Sequence, residues 1–373
     1  MFKKRKICFL LNKLNYGCGP YQRAIRFKNS KYSVDIISLF DSQNQIESTA
    51  SKMSLGSNNY KLIGLRQKGI IGIIKSVIFI VKQDYVLIHA SHRRAILCSL
   101  IARIFSKNIK VVGFEGIVFN KLNRKDYFIS KILSYFCDGV ICVSKTVYQD
   151  NANKKNNNNR IKIYNGVDLK EIIEHKESKK GGKELHLVMA SDFRPEKKIE
   201  DVILALDLFN KKYPLKYFKL QIFGAQSNKL YTSYIKKILL NTNISNRVKI
   251  RGLVTRQELY KELWSSDLFL LSSSNEGLSE SLVQAMACKL PVICSNIKPN
   301  KEVITNNSNG LVYELGNINE LCECIKTLYS DHELCSKFSK NSYDFVREHL
   351  NINDVVISYS NYFEKLIKNN GPK

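Results

Sequence analysis

The segment Ser272 to Ser295, which reads SSSNEGLSESLVQAMACKLPVICS, decides the fold of this chain. The apolar run Asp267 to Leu271 precedes it, and its polar turn leads into an amphipathic stretch from about Glu280 to Cys288. Pro291 then opens a second apolar run. An apolar run, a polar turn, a helix and another apolar run predict two parallel strands joined by a helix.

The same alternation of strand and helix continues along the chain in two series. Near-continuous apolar strands between helices indicate parallel sheets covered on both faces, so the sequence predicts an α/β fold with two doubly wound, Rossmann-like domains. The first series of strands comprises Lys6 to Leu11, Val34 to Leu39, Tyr85 to His89, Val111 to Phe114, Gly139 to Val143 and Ile161 to Tyr164. The second comprises Leu185 to Ala190, Lys219 to Phe223, Val248 to Gly252, Asp267 to Leu271, Pro291 to Cys294 and Leu311 to Tyr313.

Interruptions of this pattern set the expected domain boundaries. A charged stretch that ends in Gly181-Gly182 separates the two series and is typical of a linker. Apolar positions three and four residues apart near the C-terminus predict a closing helix that docks onto a domain. We therefore expect a first domain over residues 1–168, a linker over 169–184, a second domain over 185–345 and a helix over 346–373 that packs back towards the first domain.

One apolar run has to be compared in length with a membrane-spanning helix. The run Ile70 to Val81 has 12 residues and contains Lys75, so it is too short to cross a bilayer. We expect a helix of the core here rather than a helix that contacts a membrane.

The chain is strongly basic, and the excess lies in its first half. Its 373 residues carry 59 Lys and Arg against 33 Asp and Glu, a formal net charge of +26. Residues 1–170 hold 30 basic and 9 acidic side chains. This balance predicts an anionic partner: nucleic acid, anionic lipid or a phosphorylated substrate. An apolar content of 44% argues against a disordered chain.

The ten cysteines do not indicate a metal site. Their spacings never form the C-x-x-C pairs that zinc sites favour. Cys8 and Cys142 lie inside apolar runs, where a free thiol packs like a small apolar side chain. We expect reduced thiols, no bound metal and a cytoplasmic protein.

The turn at Asn275, Glu276 and Gly277 lies where open α/β domains bind ligands, at the carboxyl edge of a parallel sheet. The free N–H groups and the dipole of the following helix favour an anion such as a diphosphate. Glu276 can accept hydrogen bonds from sugar hydroxyls, and Gly277 allows close approach of the backbone. On the residues alone, an anion site and an ordinary strand-turn-helix connection both remain open.

Three short motifs at fixed offsets resemble one known family. Glu276 to Leu278, Gln284 to Cys288 and Pro291 to Ile293 together resemble the donor-site motif of the retaining glycosyltransferases of family 4, which have the GT-B fold. The resemblance implies two Rossmann-like domains whose parallel sheets face a central cleft. It also implies that the second domain binds the nucleotide sugar and the first domain the acceptor.

The resemblance assigns roles to residues of this segment. It implies that Glu276 contacts hydroxyls of the transferred sugar and that Gly277, Leu278 and Ser279 line the donor site. Gln284 replaces a second glutamate, which holds the nucleotide ribose in the family; an amide keeps a hydrogen bond but loses the charge-assisted part. Lys289 replaces a glycine to which we ascribe a turn rather than a contact.

A second match begins the second domain. Ala190 to Lys197 resembles the first strand and loop of the family's nucleotide-binding domain, where an arginine and a lysine face the diphosphate. Lys197 matches the lysine. Asp192 occupies the usual arginine position, and we expect Arg194 to substitute for it. Fixed cations there stabilise the doubly charged leaving group without a metal.

The remaining donor contacts implied by the resemblance are spread over both domains. Gly17 and Gly19 follow the first strand, where the family has a glycine-rich loop near the donor phosphates. Glu115 lies where the family often has a histidine that supports the donor sugar. Gly224 and Gly252 end two strands that line the nucleotide base pocket in the family.

The implied activity is metal-independent, retaining transfer of a hexose or N-acetylhexosamine from a nucleotide-diphosphate sugar, with a UDP-sugar favoured. The acceptor would be a hydroxyl of a growing glycan on a polyprenyl diphosphate lipid, as in bacterial polysaccharide, O-antigen or capsule synthesis. No cofactor is expected, since the nucleotide sugar is a co-substrate. The basic first domain would face the anionic inner surface of the cytoplasmic membrane, where each basic residue contributes about 1 kcal/mol.

Three other functions remain open at this point. A nucleotide-sugar epimerase or phosphorylase would use the same fold without an acceptor. The replacements at Gln284 and Glu115 are compatible with a catalytically weak relative. A nucleic-acid-binding protein would explain the charge, although the basic residues form no recognised nucleic-acid-binding motif.

Overall fold

The computed structural model describes residues 4–14, 24, 27, 32–52, 60–67, 69–119, 122–152, 159–176 and 184–368. The chain forms two compact units. The first unit combines Met1–Asn165 with Ile352–Lys373, and the second comprises Gly166–Asn351. Each unit contains its own parallel sheet, which confirms the predicted pair of Rossmann-like domains.

The described strands of the first unit are β1 Arg5–Leu11, β2 Tyr32–Ser38, β3 Tyr60–Gly64, β4 Tyr85–Ser91, β5 Lys110–Glu115, β6 Gly139–Cys142 and β7 Arg160–Lys162. They form one sheet in the order β3-β2-β1-β4-β5-β6-β7, and all neighbours are parallel. The order reverses between β1 and β4, as in a doubly wound fold.

The sequence predicted six of these strands and missed β3. That strand has five residues, lies at one edge of the sheet and is only partly buried. A strand with one neighbour needs fewer apolar side chains than a central strand. The apolar run that identifies the central strands is therefore short at β3.

The described helices of the first half of the chain are α1 Gln43–Lys52, α2 Gly69–Val81, α3 Arg93–Phe105, α4 Arg124–Tyr135 and α5 Lys145–Asp150. The helix predicted over Ile70 to Val81 exists as α2, but it is not wholly a core helix. It buries the four residues Gly72, Ser76, Val77 and Ile80. Four of its isoleucines are exposed, so the prediction of a core helix was wrong for one face.

The second unit contains the strands β8 Leu185–Ala190, β9 Phe218–Phe223, β10 Val248–Gly252, β11 Leu268–Leu271, β12 Val292–Ser295 and β13 Leu311–Tyr313. They form a parallel sheet in the order β10-β9-β8-β11-β12-β13, which repeats the topology of the first sheet. Its described helices are α6 Leu169–Glu174, α7 Ile199–Lys212, α8 Lys229–Leu240, α9 Arg256–Ser265, α10 Glu280–Ala287, α11 Lys298–Lys301, α12 Ile318–Ser330 and α13 His332–His349.

Part of the predicted linker is the ordered helix α6. Asp168 caps it by accepting hydrogen bonds from the N–H groups of Lys170 and Glu171, at 2.9 and 3.2 Å. The indole of Trp264 donates to the carbonyl of Ile172 at 2.8 Å, which fixes α6 to α9. The charged composition suggested a linker, but the cap, the indole contact and an ion pair between Glu171 and Arg256 at 3.0 Å order the helix.

The last described helix is α14, Ile352–Lys368, which belongs to the first unit. Its apolar face joins the same buried cluster as Phe9 and Phe27. The Phe363 ring stacks on that of Phe27 at 5.8 Å, and the Tyr362 hydroxyl accepts a hydrogen bond from the Val140 N–H at 3.0 Å. The division also differs from the predicted one, because residues 346–349 complete α13 of the second unit.

Candidate functional site

The loops after β8, β9 and β10 are bonded to one another at the carboxyl edge of the second sheet. The Ser191 N–H donates to the Phe223 carbonyl at 2.7 Å, and the Gly224 N–H donates to the Gly252 carbonyl at 2.8 Å. The predicted base-pocket residues Gly224 and Gly252 are therefore neighbours. Carboxyl edges of this kind are the usual ligand sites of open α/β sheets.

Both glycines have backbone conformations that other residues rarely adopt. Gly224 has φ +147°, and a Cβ atom there would lie 2.0 Å from the Ser191 carbonyl oxygen. Gly252 has φ +72°, but its nearest neighbour would be the Gln226 amide nitrogen at 3.8 Å. Gly224 is thus required for the close approach of two loops, whereas Gly252 is required for its backbone angle alone.

The loop after β8 contains the predicted diphosphate lysine in a short 3₁₀ turn, Pro195–Lys197. The Ser272 hydroxyl donates to the Lys197 carbonyl at 2.8 Å. The Ser274 N–H donates to the Glu196 carbonyl at 2.8 Å. These two serines follow β11, so they join the lysine turn to the loop that carries Glu276.

Within this pair of loops, two of the three residues predicted to act in catalysis, Lys197 and Glu276, contact each other. The Lys197 ammonium lies 2.6 Å from the Glu276 carboxylate oxygen Oε1. Their side chains are only 12% and 11% exposed, so the charges are shielded from water. A short, partly desolvated ion pair is stronger than a surface pair and fixes both side chains. It places an ammonium, which can bind an anion, beside a carboxylate, which can accept hydrogen bonds.

Arg194, the predicted substitute for the family arginine, has different contacts. Its guanidinium lies 3.1 Å from Glu196 and 3.9 Å from Asp192, and its side chain is 47% exposed. Asp192 itself accepts a hydrogen bond from the Ala225 N–H at 3.2 Å. Arg194 is thus a half-exposed cation beside two carboxylates, and its contact with a diphosphate stays a prediction.

The predicted donor segment leads into the N-terminus of α10. Ser279 caps the helix by accepting a hydrogen bond from the Leu282 N–H at 3.4 Å. Gly277, Leu278 and Ser279 are buried in the turn. Gln284 lies one turn further along α10 and is 5% exposed. The first N–H groups of α10 and its dipole favour an anion at this end.

Glu115 is engaged in a buried cluster of the first unit. Arg160 donates two hydrogen bonds to its carboxylate, at 2.6 and 3.1 Å, and Asn151 donates a third at 2.9 Å. The side chains of Glu115 and Arg160 are 1% and 4% exposed. These bonds hold β5, β7 and the end of α5 together, and a donor contact by Glu115 would have to replace them. Its expected donor role stays a prediction.

Burial and charge in this cluster change the pKa of two of its members, Arg160 and Cys142. Burial lowers the pKa of Arg160, but its hydrogen bonds to Glu115 and the attraction of that charge outweigh burial and raise it overall. Burial raises the pKa of the Cys142 thiol, and the nearby Glu115 charge raises it further. The cluster is therefore an ion pair beside a protonated thiol.

Gly17 and Gly19 fall outside the described residues. Among the predicted site residues that are described, Lys197, Gly224, Gly252, Glu276 and Gly277 all lie at strand ends or in strand-end loops of the second unit.

Two sets of supporting residues escaped the sequence reasoning. Ser272 and Ser274 join the loops that carry Lys197 and Glu276, and the run of three serines before Asn275 was a signal for them. Arg160 and Asn151 both contact Glu115, but they flank an Asn-rich stretch. In sequence they lie 45 and 36 residues from Glu115. No local pattern connects residues at that separation.

Within the described parts of the chain, no group of three or more His, Cys, Asp or Glu side chains is arranged to hold a metal. The nine described cysteines are free thiols, and seven of them are buried. Burial raises the pKa of Cys98 to about 11 and that of Cys137, with help from the Asp138 charge, to about 12. Metal independence of the activity stays a prediction.

The sequence of the second unit matches a known family. Residues 170–345 match the model described as glycosyl transferases group 1. This match covers nearly all of the second unit, which is therefore similar to that family. Its match includes the lysine turn, α10 and every strand of the second sheet.

Two curated relatives extend the similarity. An uncharacterised glycosyltransferase of Methanocaldococcus jannaschii is 27% identical over 237 residues, which are 63% of this chain and 62% of the relative. The poly(ribitol-phosphate) alpha-N-acetylglucosaminyltransferase of Staphylococcus aureus is 26% identical over 227 residues, which are 61% of this chain and 44% of that enzyme. The chain thus spans less than two thirds of the length of either relative.

A solved structure confirms the fold over both units. The crystal structure of Anabaena HepE in complex with UDP and glucose superposes with a TM-score of 0.81 at 17% identity. The superposition covers 97% of this chain and 100% of that one. The similarity is one of fold, and it includes the pair of parallel-sheet domains.

Proposed function

We propose that this protein is a retaining glycosyltransferase that moves a hexose or an N-acetylhexosamine from a nucleotide-diphosphate sugar to a hydroxyl of a growing glycan. The observation that carries the proposal is the pair of Lys197 and Glu276, 2.6 Å apart at the carboxyl edge of the second sheet. It combines a cation for the diphosphate with a carboxylate for the sugar hydroxyls. The family match of the second unit supports the same activity.

The donor is proposed to lie along the strand-end loops of the second unit. Its base would contact the backbone near Gly224 and Gly252, and its ribose would bond to Gln284. Its diphosphate would accept hydrogen bonds from the α10 N-terminus and Lys197, with Arg194 at the exposed side. A UDP-sugar is favoured, and the crystal structure of HepE in complex with UDP and glucose supports this choice by analogy.

The reaction would break the bond between the anomeric carbon of the sugar and an oxygen of the diphosphate. The nucleoside diphosphate would leave with both bonding electrons. The acceptor oxygen would form the new bond on the same face, and its proton would pass to the departing diphosphate. Lys197 would stabilise the charge that develops on this leaving group, and Glu276 would orient the sugar. No step is assigned to a metal.

The acceptor is proposed to be an anionic cell-surface glycan, carried on a polyprenyl diphosphate lipid. Residues 1–170 carry 30 basic and 9 acidic side chains, which suits phosphate groups on such an acceptor and anionic lipid around it. The name of the Staphylococcus aureus relative includes a poly(ribitol-phosphate) acceptor and supports an acceptor of this class. A cytoplasmic protein at the inner face of the membrane would meet both substrates.

Binding and product analysis together test this proposal. Isothermal titration calorimetry with UDP and GDP, and with random DNA at two salt concentrations, separates a nucleotide-sugar enzyme from a nucleic-acid-binding protein. Mass spectrometry of lipid-linked glycans from cells lacking the protein should show a glycan one sugar short. Epimerised nucleotide sugar without any acceptor would instead identify an epimerase.

A further inference from the structure

The first unit has an apolar surface on three neighbouring helices that the proposed transfer chemistry does not use. Helix α2 packs against α3, and α3 packs against α4. On α2, Ile70, Ile71, Ile74 and Ile78 are between 49% and 77% exposed. At about 100° per residue, these four side chains fall within one arc of roughly 100°. They form a continuous stripe opposite the buried face of the helix.

The neighbouring helices extend this apolar surface. On α4, Phe128 and Ile132 are 51% and 56% exposed, and Phe136 directly after the helix is 54% exposed. Their spacing of four residues places them on one face. Helix α3 ends in Ile104 and Phe105, which are also exposed. We call these nine side chains the apolar helix surface.

Basic residues accompany the apolar helix surface. Lys75 is exposed and lies beside the isoleucine stripe, and Lys125 is exposed and lies on the same arc of α4 as Phe128 and Ile132. The only acidic residue in these three helices is Asp126, and it pairs with Arg93. The basic residues of the three helices are Lys75, Arg93, Arg94, Arg103, Arg124, Lys125 and Lys131.

We infer that the apolar helix surface docks onto an anionic lipid bilayer. The isoleucine and phenylalanine side chains would enter the boundary between headgroups and acyl chains, and the lysines would bind lipid phosphates. No described helix is long and apolar enough to cross a membrane, so the contact would be interfacial. The inference deepens the proposed function. It rests on that function in one respect, which is that an enzyme extending a lipid-linked glycan has to reach a membrane.

Charge argues for a bilayer rather than a second copy of the chain. In a two-fold symmetric dimer the same patch occurs on both partners, so this basic surface would meet itself. Lys75 and Lys125 would then lie near their own counterparts without acidic partners. An anionic bilayer satisfies the apolar and the basic side chains together.

Vesicle binding of the full chain tests this inference. We expect co-sedimentation with phosphatidylglycerol-containing vesicles and at least tenfold weaker binding to pure phosphatidylcholine vesicles. The triple variant Ile70→Ser, Ile71→Ser, Ile74→Ser and the double variant Phe128→Ser, Ile132→Ser should each lower the partition coefficient at least tenfold. The charge variant Lys75→Glu, Lys125→Glu should lower binding to the anionic vesicles specifically.

A matched control lies in the second unit. Leu230 and Leu240 on α8 are 86% and 78% exposed, and the double change Leu230→Ser, Leu240→Ser should leave vesicle binding unchanged. All the substituted positions are exposed, so circular dichroism and thermal unfolding should show intact folds.

Several outcomes would overturn the inference. These are a wild-type chain that ignores anionic vesicles, apolar variants that bind as well as the wild type, or a dimer in sedimentation velocity that the triple variant disrupts in the absence of vesicle binding. Calorimetry with UDP on the same samples separates the two proposals. A wild-type chain that binds UDP but not anionic vesicles would overturn this inference alone. A wild-type chain that binds the vesicles but not UDP would overturn the proposed function alone.

Discussion

The Lys197 ammonium and the Glu276 carboxylate, 79 residues apart in sequence, form an ion pair of 2.6 Å that is almost closed to solvent. Without a ligand, the proposed diphosphate-binding cation is neutralised by the proposed sugar-binding carboxylate. A bound diphosphate would compete with Glu276 for Lys197. The two side chains should therefore respond differently to substitution, although they contact each other.

Glu276→Gln should strongly reduce transfer without weakening the binding of UDP. The amide removes a charge that repels the diphosphate and that occupies Lys197, so the affinity for UDP should be unchanged or higher. Transfer should fall at least about a hundredfold, because the contact with the sugar hydroxyls is altered. Calorimetry with UDP and a radiolabelled transfer assay measure the two effects.

The matched change Lys197→Met should weaken UDP binding roughly tenfold to a hundredfold, as expected for a lost charged hydrogen bond. Transfer should fall with it. If Glu276→Gln weakened UDP binding as much as Lys197→Met does, the division of roles between the two residues would be wrong.

Glu115→Ala should destabilise the first unit and leave UDP affinity intact. Removing one partner of a buried ion pair leaves the Arg160 charge uncompensated, at a cost of roughly 3–5 kcal/mol in the free energy of unfolding. The double change Glu115→Leu, Arg160→Met should recover part of that loss. Chemical denaturation measures the stability, and a folded Glu115→Ala protein with strongly reduced UDP affinity would return Glu115 to the donor site.

Gly224→Ala and Gly252→Ala should differ in their cost. At Gly224 the new Cβ would meet the Ser191 carbonyl, so one loop must move, and we expect a loss of about 3 kcal/mol in the free energy of unfolding. At Gly252 only the positive φ opposes a side chain, and the loss should be about 1 kcal/mol. Equal losses in denaturation experiments would show that the close approach of the two loops is absent in solution.

Gln284→Glu should bind UDP as tightly as the wild type or up to about tenfold more tightly. A carboxylate makes a charge-assisted hydrogen bond to a ribose hydroxyl, whereas the amide makes a neutral one. Gln284→Leu provides the control and should bind more weakly, since it cannot accept a hydrogen bond. Clearly weaker binding by Gln284→Glu in calorimetry would move the ribose away from this residue.

Strands β11 and β12 of the second unit were predictable from their sequence because every residue in them is buried. All six apolar runs proposed there correspond to strands, and the motif from Glu276 to Ile293 contains local signals for a turn, a helix and a strand. Lys289, to which we ascribed a turn, has φ +56° at the end of α10. Such features depend on neighbours in sequence, so short patterns can predict them.

The failures come from features that depend on distant residues. The edge strand β3 and the exposed face of α2 could not be predicted, because the sequence does not show which side of an element has a neighbour. The buried ion pair of Glu115 depends on Arg160, which follows it by 45 residues, so it could not be predicted either. Likewise, no pattern at Lys197 indicates that its ammonium contacts Glu276.

The most direct test of the proposed activity is sugar transfer by the purified chain. A panel of radiolabelled UDP- and GDP-sugars would be supplied with a membrane extract, and label in the lipid-linked glycan fraction would be measured for wild type and for Glu276→Ala. We predict transfer from at least one UDP-sugar by the wild type and none by a folded Glu276→Ala protein. A wild type that neither transferred nor hydrolysed any donor would contradict the proposed activity. Equal transfer by both proteins would contradict the proposed site.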